Sequence, residues 1–384
     1  MNKIYLLTAA FAVMASLSGC SDTELASIDT AQEKTPIGFH TVGSQMGSRA
    51  DVINSSNLNK YSFNVYAFTR NSTDGSDDAL FMGTKDTESW TNGGIKISYK
   101  GEKWGYDDPN NLKYWPTNAL NFYAVSPVPK SDAEAIFYHW KITQTEKKIL
   151  YFSSDEYGSQ SQPYIDVMYA IATNQSKSNK GGKVQLKFRH ITSQVVFKAK
   201  KQRADMNVEI KSIKLHNLET SGFFTIPMNR TDLQQTDWTP QSATYKCGLT
   251  VINKGDNDPK INVGTEATDI SSSQPMFLIP QQLTAWDTSN NTDYADTHKQ
   301  SYLSIECKIK IGNADYVGSD SEYGTLYVPF GGYEWQPGMR YVYTLVFGGG
   351  YDADGKPILT PINFEPSVEP WGDENKDVNI QPQQ

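Results

Sequence analysis

Cys20 is the residue whose surroundings predict the clearest chemistry. It follows Leu17-Ser18-Gly19 at the end of an apolar run that begins at Ile4, just after the positive charge of Lys3. A charged start, a short apolar core and small residues before a cysteine are typical of an export signal with a lipobox, which is cut after Gly19. A plain secretory signal with an unrelated cysteine is the alternative. The pattern predicts that Cys20 carries lipid, which would hold the mature chain to a membrane.

The other two cysteines, Cys247 and Cys307, form the remaining candidate pair for a disulfide. They lie in strand-like segments, "SATYKCGLTVI" and "YLSIECKIKIG". An oxidising compartment after export would allow the bond, and a disulfide that closes a loop of about 60 residues contributes about 4 kcal/mol in the chain-entropy model. Two buried free thiols are an equally supported alternative.

The sequence carries no catalytic signature. It lacks H-E-x-x-H, C-x-x-C and G-x-S-x-G, and its five histidines are scattered. His190 is predicted to pack beside a strand, because its surroundings alternate. "GGGYDA" (348–353) is followed by turn residues and predicts a hairpin rather than a nucleotide site. Asp74, Asp77 and Asp78 are predicted to form a solvated acidic loop rather than a cation site. We therefore expect no enzyme activity, cofactor or metal.

Aromatic residues are abundant, with 22 Tyr, 16 Phe and 8 Trp. Four of them near Gly- and Pro-rich turns, Trp104, Tyr114, Trp115 and Trp335, could form a sugar-binding platform, but in a β-rich protein such residues more often belong to the core. The formal net charge of −8 argues against nucleic acid as a partner.

The elements that must position these residues are short strands. Segments such as "YSFNVYAF" and "VEIKSIKLHNL" alternate apolar and polar residues, and turns follow about every 10 residues, which predicts β-sandwiches. Ser131 and Glu134 have capping-box spacing and predict one short helix. "NQSKSNKGGK" (174–183) is the clearest break in composition. We predict a signal peptide at 1–19, a flexible tether at 20–35 and two domains at 36–178 and 179–384.

Arg49 lies in "MGSRADV", among small residues in a predicted open loop. Such loops are preferred sites of proteolysis. A strand predicted at 36–42, "PIGFHTV", precedes the loop, so a cut between Arg49 and Ala50 would free it from the strands that follow. The exposed groove could then accept a strand from another copy by β-strand addition. A solvated arginine in a linker is the alternative.

Several segments in order resemble the fimbrillin-like lipoproteins of Bacteroidales, the subunits and adhesins of protease-assembled (type V) pili. They are "PIGFHTVGSQMGSRA", "FNVYAFTR", "KYWPTNALNFYAVSP", "DVMYA", "VQLKFRHITSQVVF", "FLIPQQL", "WQPGMRYVYTLVF" and "PINFEPSVEPW". The chain departs from the family pattern after Trp371, where only a short polar tail remains.

The resemblance implies an all-β fold of two tandem transthyretin-like antiparallel β-sandwich domains. It implies lipidation (palmitate) at Cys20, anchoring in outer-membrane lipid, and cleavage between Arg49 and Ala50 by an arginine-specific protease. Polymerisation with other pilin subunits would follow, with residues 36–42 removed and a C-terminal segment as the donor strand. A host glycan or protein is a further expected partner. The alternative is a non-polymerising surface lipoprotein that binds glycan or host protein, and an enzyme on a β-sandwich is the least supported reading.

Overall fold

The structure is a computed structural model of the whole chain. It describes residues 35–42, 53–54, 57–84, 90, 92–153, 165–228, 232–241, 247–271, 276–285, 300–348, 350–351, 357–358 and 363–370.

Strands dominate the described residues. In chain order the strands are β1 Gly38–Val42, β2 Phe63–Arg70, β3 Asp77–Met82, β4 Ile95–Lys100, β5 Lys103–Tyr106, β6 Leu120–Ser126, β7 Tyr138–Ile142, β8 Lys147–Phe152, β9 Met168–Gln175, β10 Lys183–Lys187, β11 Arg189–His190, β12 Ser193–Lys201, β13 Met206–Leu218, β14 Ser221–Thr225, β15 Trp238–Pro240, β16 Cys247–Asn253, β17 Ile261–Asn262, β18 Thr268–Asp269, β19 Met276–Leu278, β20 Tyr302–Ile311, β21 Ala314–Val317, β22 Gly324–Pro329, β23 Met339–Phe347, β24 Gly350–Tyr351, β25 Pro357–Ile358 and β26 Asn363–Pro370. The helices are α1 Asp132–Ala135 and 3-10 turns at Leu58–Lys60, Pro109–Asn111, Asn179–Gly182 and Gln235–Asp237.

A seven-stranded sheet, with the order β11-β9-β6-β2-β4-β5 and β3 beside β2, is covered on both faces. One face packs against the four-stranded sheet β15-β14-β8-β7 through large aromatic side chains, including Tyr123, Tyr151 and Trp140. The opposite face carries Phe63, Phe122 and other apolar residues, and the two-stranded parallel pair β1-β10 packs against it. The alternation of side chains along each strand gives the sheet these two apolar faces.

A second group of strands forms a sandwich of two sheets. The five-stranded sheet has the order β18-β12-β23-β26 with β19 beside β12, and the six-stranded sheet has the order β16-β13-β20-β21 with β17 and β22 as further partners. Between them lies a continuous apolar core that includes Phe197, Ile213, Leu303 and Trp335. β26 is the edge strand of the five-stranded sheet and pairs with β23 in antiparallel register.

Several local predictions are confirmed. The chain is all-β, and the α-helix at Asp132–Ala135 begins where the capping pattern placed it. Ser131 Oγ accepts a hydrogen bond from the Glu134 N–H at 3.3 Å, and the Glu134 carboxylate accepts one from the Lys130 N–H at 2.8 Å. The "GGGYDA" segment begins a hairpin, because β24 and β25 pair antiparallel. The predictions agree with the structure at helix caps and tight turns, because these features depend only on residues close together in the chain.

The division into domains at 36–178 and 179–384 stays a prediction. The pairing of the described strands, however, crosses the predicted boundary. β10 and β11 lie after residue 179, yet they pair with β1 and β9. β14 likewise pairs with β8. Strands from the second half of the chain therefore complete the sheets of the first half.

Candidate functional site

The candidate site is the groove in which β1 lies, which we call the β1 groove. β1 runs parallel to β10, from Gly38 opposite Lys183 to Val42 opposite Lys187. Just before β1, residues 35–37 pair with residues 113–115: the Ile37 N–H donates to the Lys113 carbonyl at 2.9 Å, and the Trp115 N–H donates to the Thr35 carbonyl at 3.0 Å. The segment 35–42 is therefore held by two backbone segments in succession, residues 113–115 along residues 35–37 and β10 along β1.

The floor of the groove is aromatic. Ile37 is 1% exposed and Phe39 is 6% exposed, whereas His40 faces solvent. The Phe39 ring lies 5.9 Å from the ring centre of Phe63, 6.0 Å from that of Tyr106 and 6.3 Å from that of Phe122. Such edge-to-face and tilted contacts add about 0.5–1.5 kcal/mol to the burial of the ring. Ile37 and Phe39 are thus the side chains that hold β1 in place.

Gly182 shapes the wall of the groove. It precedes β10 with a φ of +80°, a left-handed conformation that glycine adopts without strain. A Cβ atom at this position would lie 3.0 Å from Thr35 Cγ2 and 3.2 Å from Trp115 Nε1. The Gly182 carbonyl accepts a hydrogen bond from Trp115 Nε1 at 2.9 Å. The glycine therefore lets the β10 wall approach the start of the inserted segment closely.

The chain after the predicted cleavage loop is held by a buried dyad that the sequence did not predict. The Ile53 N–H donates to Asp166 Oδ2 at 2.9 Å, and Asp166 Oδ1 lies 2.7 Å from His190 Nδ1. Both side chains of the dyad are at most 2% exposed. His190 packs beside a strand as predicted. Its partner Asp166 could not be recognised from the sequence, because the two residues lie 24 positions apart and no local pattern links them.

The described residues therefore hold the chain on both sides of the predicted cut. β1 is fixed before it, and Ile53 is fixed after it. Gly19, Cys20, Arg49 and Ala50 lie outside the described residues, so the lipidation and cleavage sites stay predictions.

Replacing Phe39 by alanine is expected to loosen β1. Phe→Ala changes in packed cores cost about 3–5 kcal/mol, and here the loss falls on the attachment of one peripheral strand. Hydrogen exchange of the amides of residues 38–42 should accelerate strongly. The neighbouring exposed residue gives the control, since His40→Ala should leave that exchange unchanged. Equal exchange in both variants would contradict the role of the aromatic pocket.

The predicted disulfide between Cys247 and Cys307 is wrong. Cys307 is a free thiol buried in the sandwich core. The backbone register explains why: Cys247 pairs with Leu218 at one end of β13, whereas Cys307 pairs with Ile210 on its opposite edge. Eight residues of strand separate these positions, about 26 Å at the usual rise per residue. The cysteines flank the same strand but lie too far apart to bond.

Cys307 should be unreactive in the folded protein. Burial raises the pKa of its thiol to about 12, whereas an unfolded cysteine titrates near 8.5. The folded state thus keeps the proton, so this residue's contribution to stability is present below about pH 8.5 and is lost as the pH rises towards 12. We expect labelling of Cys307 by a thiol reagent at pH 8 only after unfolding in urea. Rapid labelling of the native protein would contradict this burial.

The aromatic residues considered for a sugar platform do not share one environment. Trp335 is fully buried in the sandwich core, where its Nε1 donates to the Tyr343 hydroxyl at 2.9 Å. Trp115 belongs to the wall of the β1 groove. Trp104 packs on Phe63 with ring centres 5.1 Å apart. Tyr114 is 42% exposed. The core interpretation is confirmed for Trp335.

The acidic-loop prediction is wrong for Asp77. Asp74 and Asp78 are exposed as expected, but the Asp77 side chain is 2% exposed and lies 2.7 Å from the ammonium of Lys147. Among the residues that the structure describes, no group of three or more His, Cys, Asp or Glu is arranged to hold a metal ion. In the same residues, no helix is long and apolar enough to cross a membrane.

The fold is that of an all-β protein of packed sheets, and the site is a groove that binds a β-strand. The profile of the fimbrillin-like family matches residues 48–371, and the chain belongs to this family. It is a family of fimbrial structural proteins and not of enzymes.

Among solved structures, the chain is similar to a fimbrial protein from Bacteroides vulgatus ATCC 8482, with a TM-score of 0.56 and 18% identity over 88% of this chain and 99% of that chain. This likeness shows the fold. The chain is also similar to the tip fimbrial protein Mfa3 from Porphyromonas gingivalis, with a TM-score of 0.38 and 10% identity over 81% of this chain and 94% of that chain. The second likeness is too weak to support a conclusion. A search of curated proteins found no match.

Proposed function

We propose that the protein is a structural subunit or adhesin of surface fimbriae that polymerises by strand exchange at the β1 groove. The observation that carries the proposal is the attachment of β1. β1 pairs with β10, and the residues just before it, 35–37, pair with residues 113–115. Together they bury Ile37 and Phe39, and the segment that contains Arg49 follows. Cleavage between Arg49 and Ala50 by an arginine-specific protease would cut the covalent link between β1 and the body. Membership of the fimbrillin-like family supports the same function.

The energetics favour control by cleavage. Burial of Ile37 and Phe39 contributes about 1.5–3 kcal/mol each before the loss of chain entropy is considered. An intact loop keeps β1 at a high effective concentration beside its groove, on the order of millimolar for a short tether. A cut removes that advantage, so a donor strand from another subunit can displace β1.

The lipid anchor fits the same function. In the proposal, Cys20 carries lipid and holds the uncleaved subunit in the outer membrane, with the folded body at the cell surface. Cleavage after Arg49 then releases the body from the lipid at the same time as it opens the groove. The partners are other fimbrial subunits, the maturation protease, outer-membrane lipid and a host glycan or protein.

The test is assembly of purified protein. Protein cut after Arg49 should form ladders of SDS-resistant oligomers on incubation, whereas intact protein should stay monomeric. A strictly monomeric cut protein would favour the alternative, a non-polymerising surface lipoprotein that binds glycan or host protein.

A further inference from the structure

A polar pocket opens on the six-stranded sheet, and we call it the lysine pocket. It has a volume of about 320 Å³, and the residues that line it include Lys201, Asn207, Glu209, Asn262, Lys308 and Lys310. None of these residues belongs to β1, β10 or residues 113–115, so the pocket is separate from the β1 groove. Resting on the glycan partner of the function proposed above, we propose that this pocket binds an acidic sugar. Its lysines would contact the carboxylate or sulfate group, and its asparagines the hydroxyl groups.

Strand register brings the polar side chains of the lysine pocket together. Glu209 in the central strand β13 lies opposite Lys308 of β20 on one side and opposite Asn262 of β17 on the other. Two positions earlier on β13, Asn207 lies opposite Lys310. Residues two apart on a strand point to the same face, and directly opposed residues have Cβ atoms about 4.5–5.5 Å apart. These groups can therefore contact one small ligand together.

Two of the lysines keep their charge available to a ligand. Lys201 Nζ donates to the Met206 carbonyl at 2.5 Å, and Lys308 Nζ donates to the Asp320 carbonyl at 2.8 Å. Among the residues that the structure describes, neither ammonium group forms an ion pair with a carboxylate. The Lys308 ammonium also lies 4.5 Å from the ring centre of Tyr323, a contact that holds it in place. A positive charge whose partners are neutral can pair with an anionic ligand.

The third lysine, Lys310, has an exposed carboxylate in front of it. It forms ion pairs with Asp315, at 3.1 Å, and with Asp320, whose side chain is 89% exposed. Exposed ion pairs contribute little to stability, because water screens the charges and the side chains lose conformational freedom. An incoming anion can therefore take the place of the Asp320 carboxylate at Lys310. The same carboxylate repels an anionic ligand, so its removal should strengthen binding.

The size and the chemistry of the lysine pocket favour a sugar. Sites for small molecules occupy about 300–1,000 Å³, and this pocket lies at the lower end of that range, which suits one or two sugar rings. The amides of Asn207 and Asn262 both donate and accept hydrogen bonds, as sugar hydroxyl groups require. The formal net charge of the chain is −8, so its overall field repels acidic ligands. An acidic sugar would therefore be bound by the local lysines rather than by general attraction.

The inference is tested by titrating the full-length protein with defined sugars. The probes are 3′-sialyllactose, which carries a carboxylate, a sulfated disaccharide of heparin, and lactose as the neutral control, and ligand-observed NMR measures each Kd. We expect an acidic probe to bind at least about ten times more tightly than lactose, and the tighter acidic probe identifies the preferred anionic group. Lys308→Gln should weaken that binding about ten- to hundredfold, from the loss of a charge-assisted hydrogen bond. Asp320→Asn should strengthen it by up to about fivefold.

Lys100→Gln is the matched control, because Lys100 is an exposed, ion-paired lysine on β4, outside the lysine pocket. It should bind the acidic probe like the wild type, and an unchanged midpoint of urea unfolding shows that each variant is folded. Absence of binding by both acidic probes, equal binding of lactose, or weaker binding by Asp320→Asn overturns the inference. Equal losses for Lys308→Gln and Lys100→Gln also overturn it. Ladder formation by the cut protein separates the two proposals: ladders without sugar binding overturn only this inference, and sugar binding without ladders overturns only polymerisation.

Discussion

Arg49→Ala is expected to keep the protein monomeric under conditions in which the wild type assembles. Without a cut, β1 competes for its groove at an effective concentration on the order of millimolar. A micromolar donor of equal affinity would then occupy only about one groove in a thousand. After the cut, both strands compete as separate molecules, and assembly becomes a matter of donor concentration. The measurement is treatment with low-dose trypsin, followed by unheated SDS gels and N-terminal sequencing of the products.

Lys34 provides the matched control for this experiment. It is a second tryptic site before β1, and a cut after it removes only the predicted tether. Lys34→Gln should therefore assemble like the wild type. A chain cut at residue 34 alone should remain monomeric, because residues 35–42 are still joined to the body. Ladders from the Arg49→Ala protein at the wild-type rate would contradict the role of this cleavage.

Lys147→Met is expected to destabilise the protein by about 3–5 kcal/mol, because it leaves a buried carboxylate without its counter-charge. The Lys147 and Asp77 side chains are 5% and 2% exposed, and Nζ lies 2.7 Å from Asp77 Oδ2. The ammonium also donates to the carbonyls of Thr143 and Gln144, at 2.9 Å each. Urea unfolding followed by intrinsic fluorescence would measure the loss.

Removing both charges tests the reason for this effect. In Lys147→Met with Asp77→Asn, no buried charge is left unpaired, so much of the lost stability should return. The exposed pair of Lys100 and Asp107, with Nζ and Oδ1 2.8 Å apart, is the matched control. Lys100→Met should change stability by less than about 1 kcal/mol. Equal losses of stability for Lys147→Met and Lys100→Met would show that burial does not govern the strength of the ion pair between Lys147 and Asp77.

The buried ion pair of Lys147 and Asp77 lies where it can stabilise the body of a subunit that exchanges a strand. Asp77 begins β3 of the seven-stranded sheet, and Lys147 begins β8 of the four-stranded sheet. Its Nζ lies 4.8 Å from the ring centre of Tyr123, and the Tyr123 hydroxyl donates to Asp77 Oδ1 at 3.1 Å. The pair thus connects the two sheets on the face away from β1. We expect this half of the body to stay folded when β1 leaves.

The sequence by itself determined the features that depend on neighbouring residues. Alternation of side chains predicted β2 and β13, capping-box spacing predicted the start of α1 at Ser131, and turn residues predicted the hairpin after Gly348. The ordered set of segments also indicated the fimbrillin-like family, which the family profile confirms. These signals act over a few residues or over the whole chain, and neither kind depends on which strands become neighbours.

Only the tertiary structure decided which distant residues meet. β13 separates Cys247 from Cys307 and so prevents the disulfide that the cysteine count allowed. Asp77 forms a buried ion pair with Lys147, because the strand order brings β3 next to the start of β8, 70 residues further along the chain. Local patterns carry no information about strand order, because pairing is fixed by burial and hydrogen bonding across the finished sheets. The groove that receives β1 is likewise built from β10 and residues 113–115, which are close only in the folded protein.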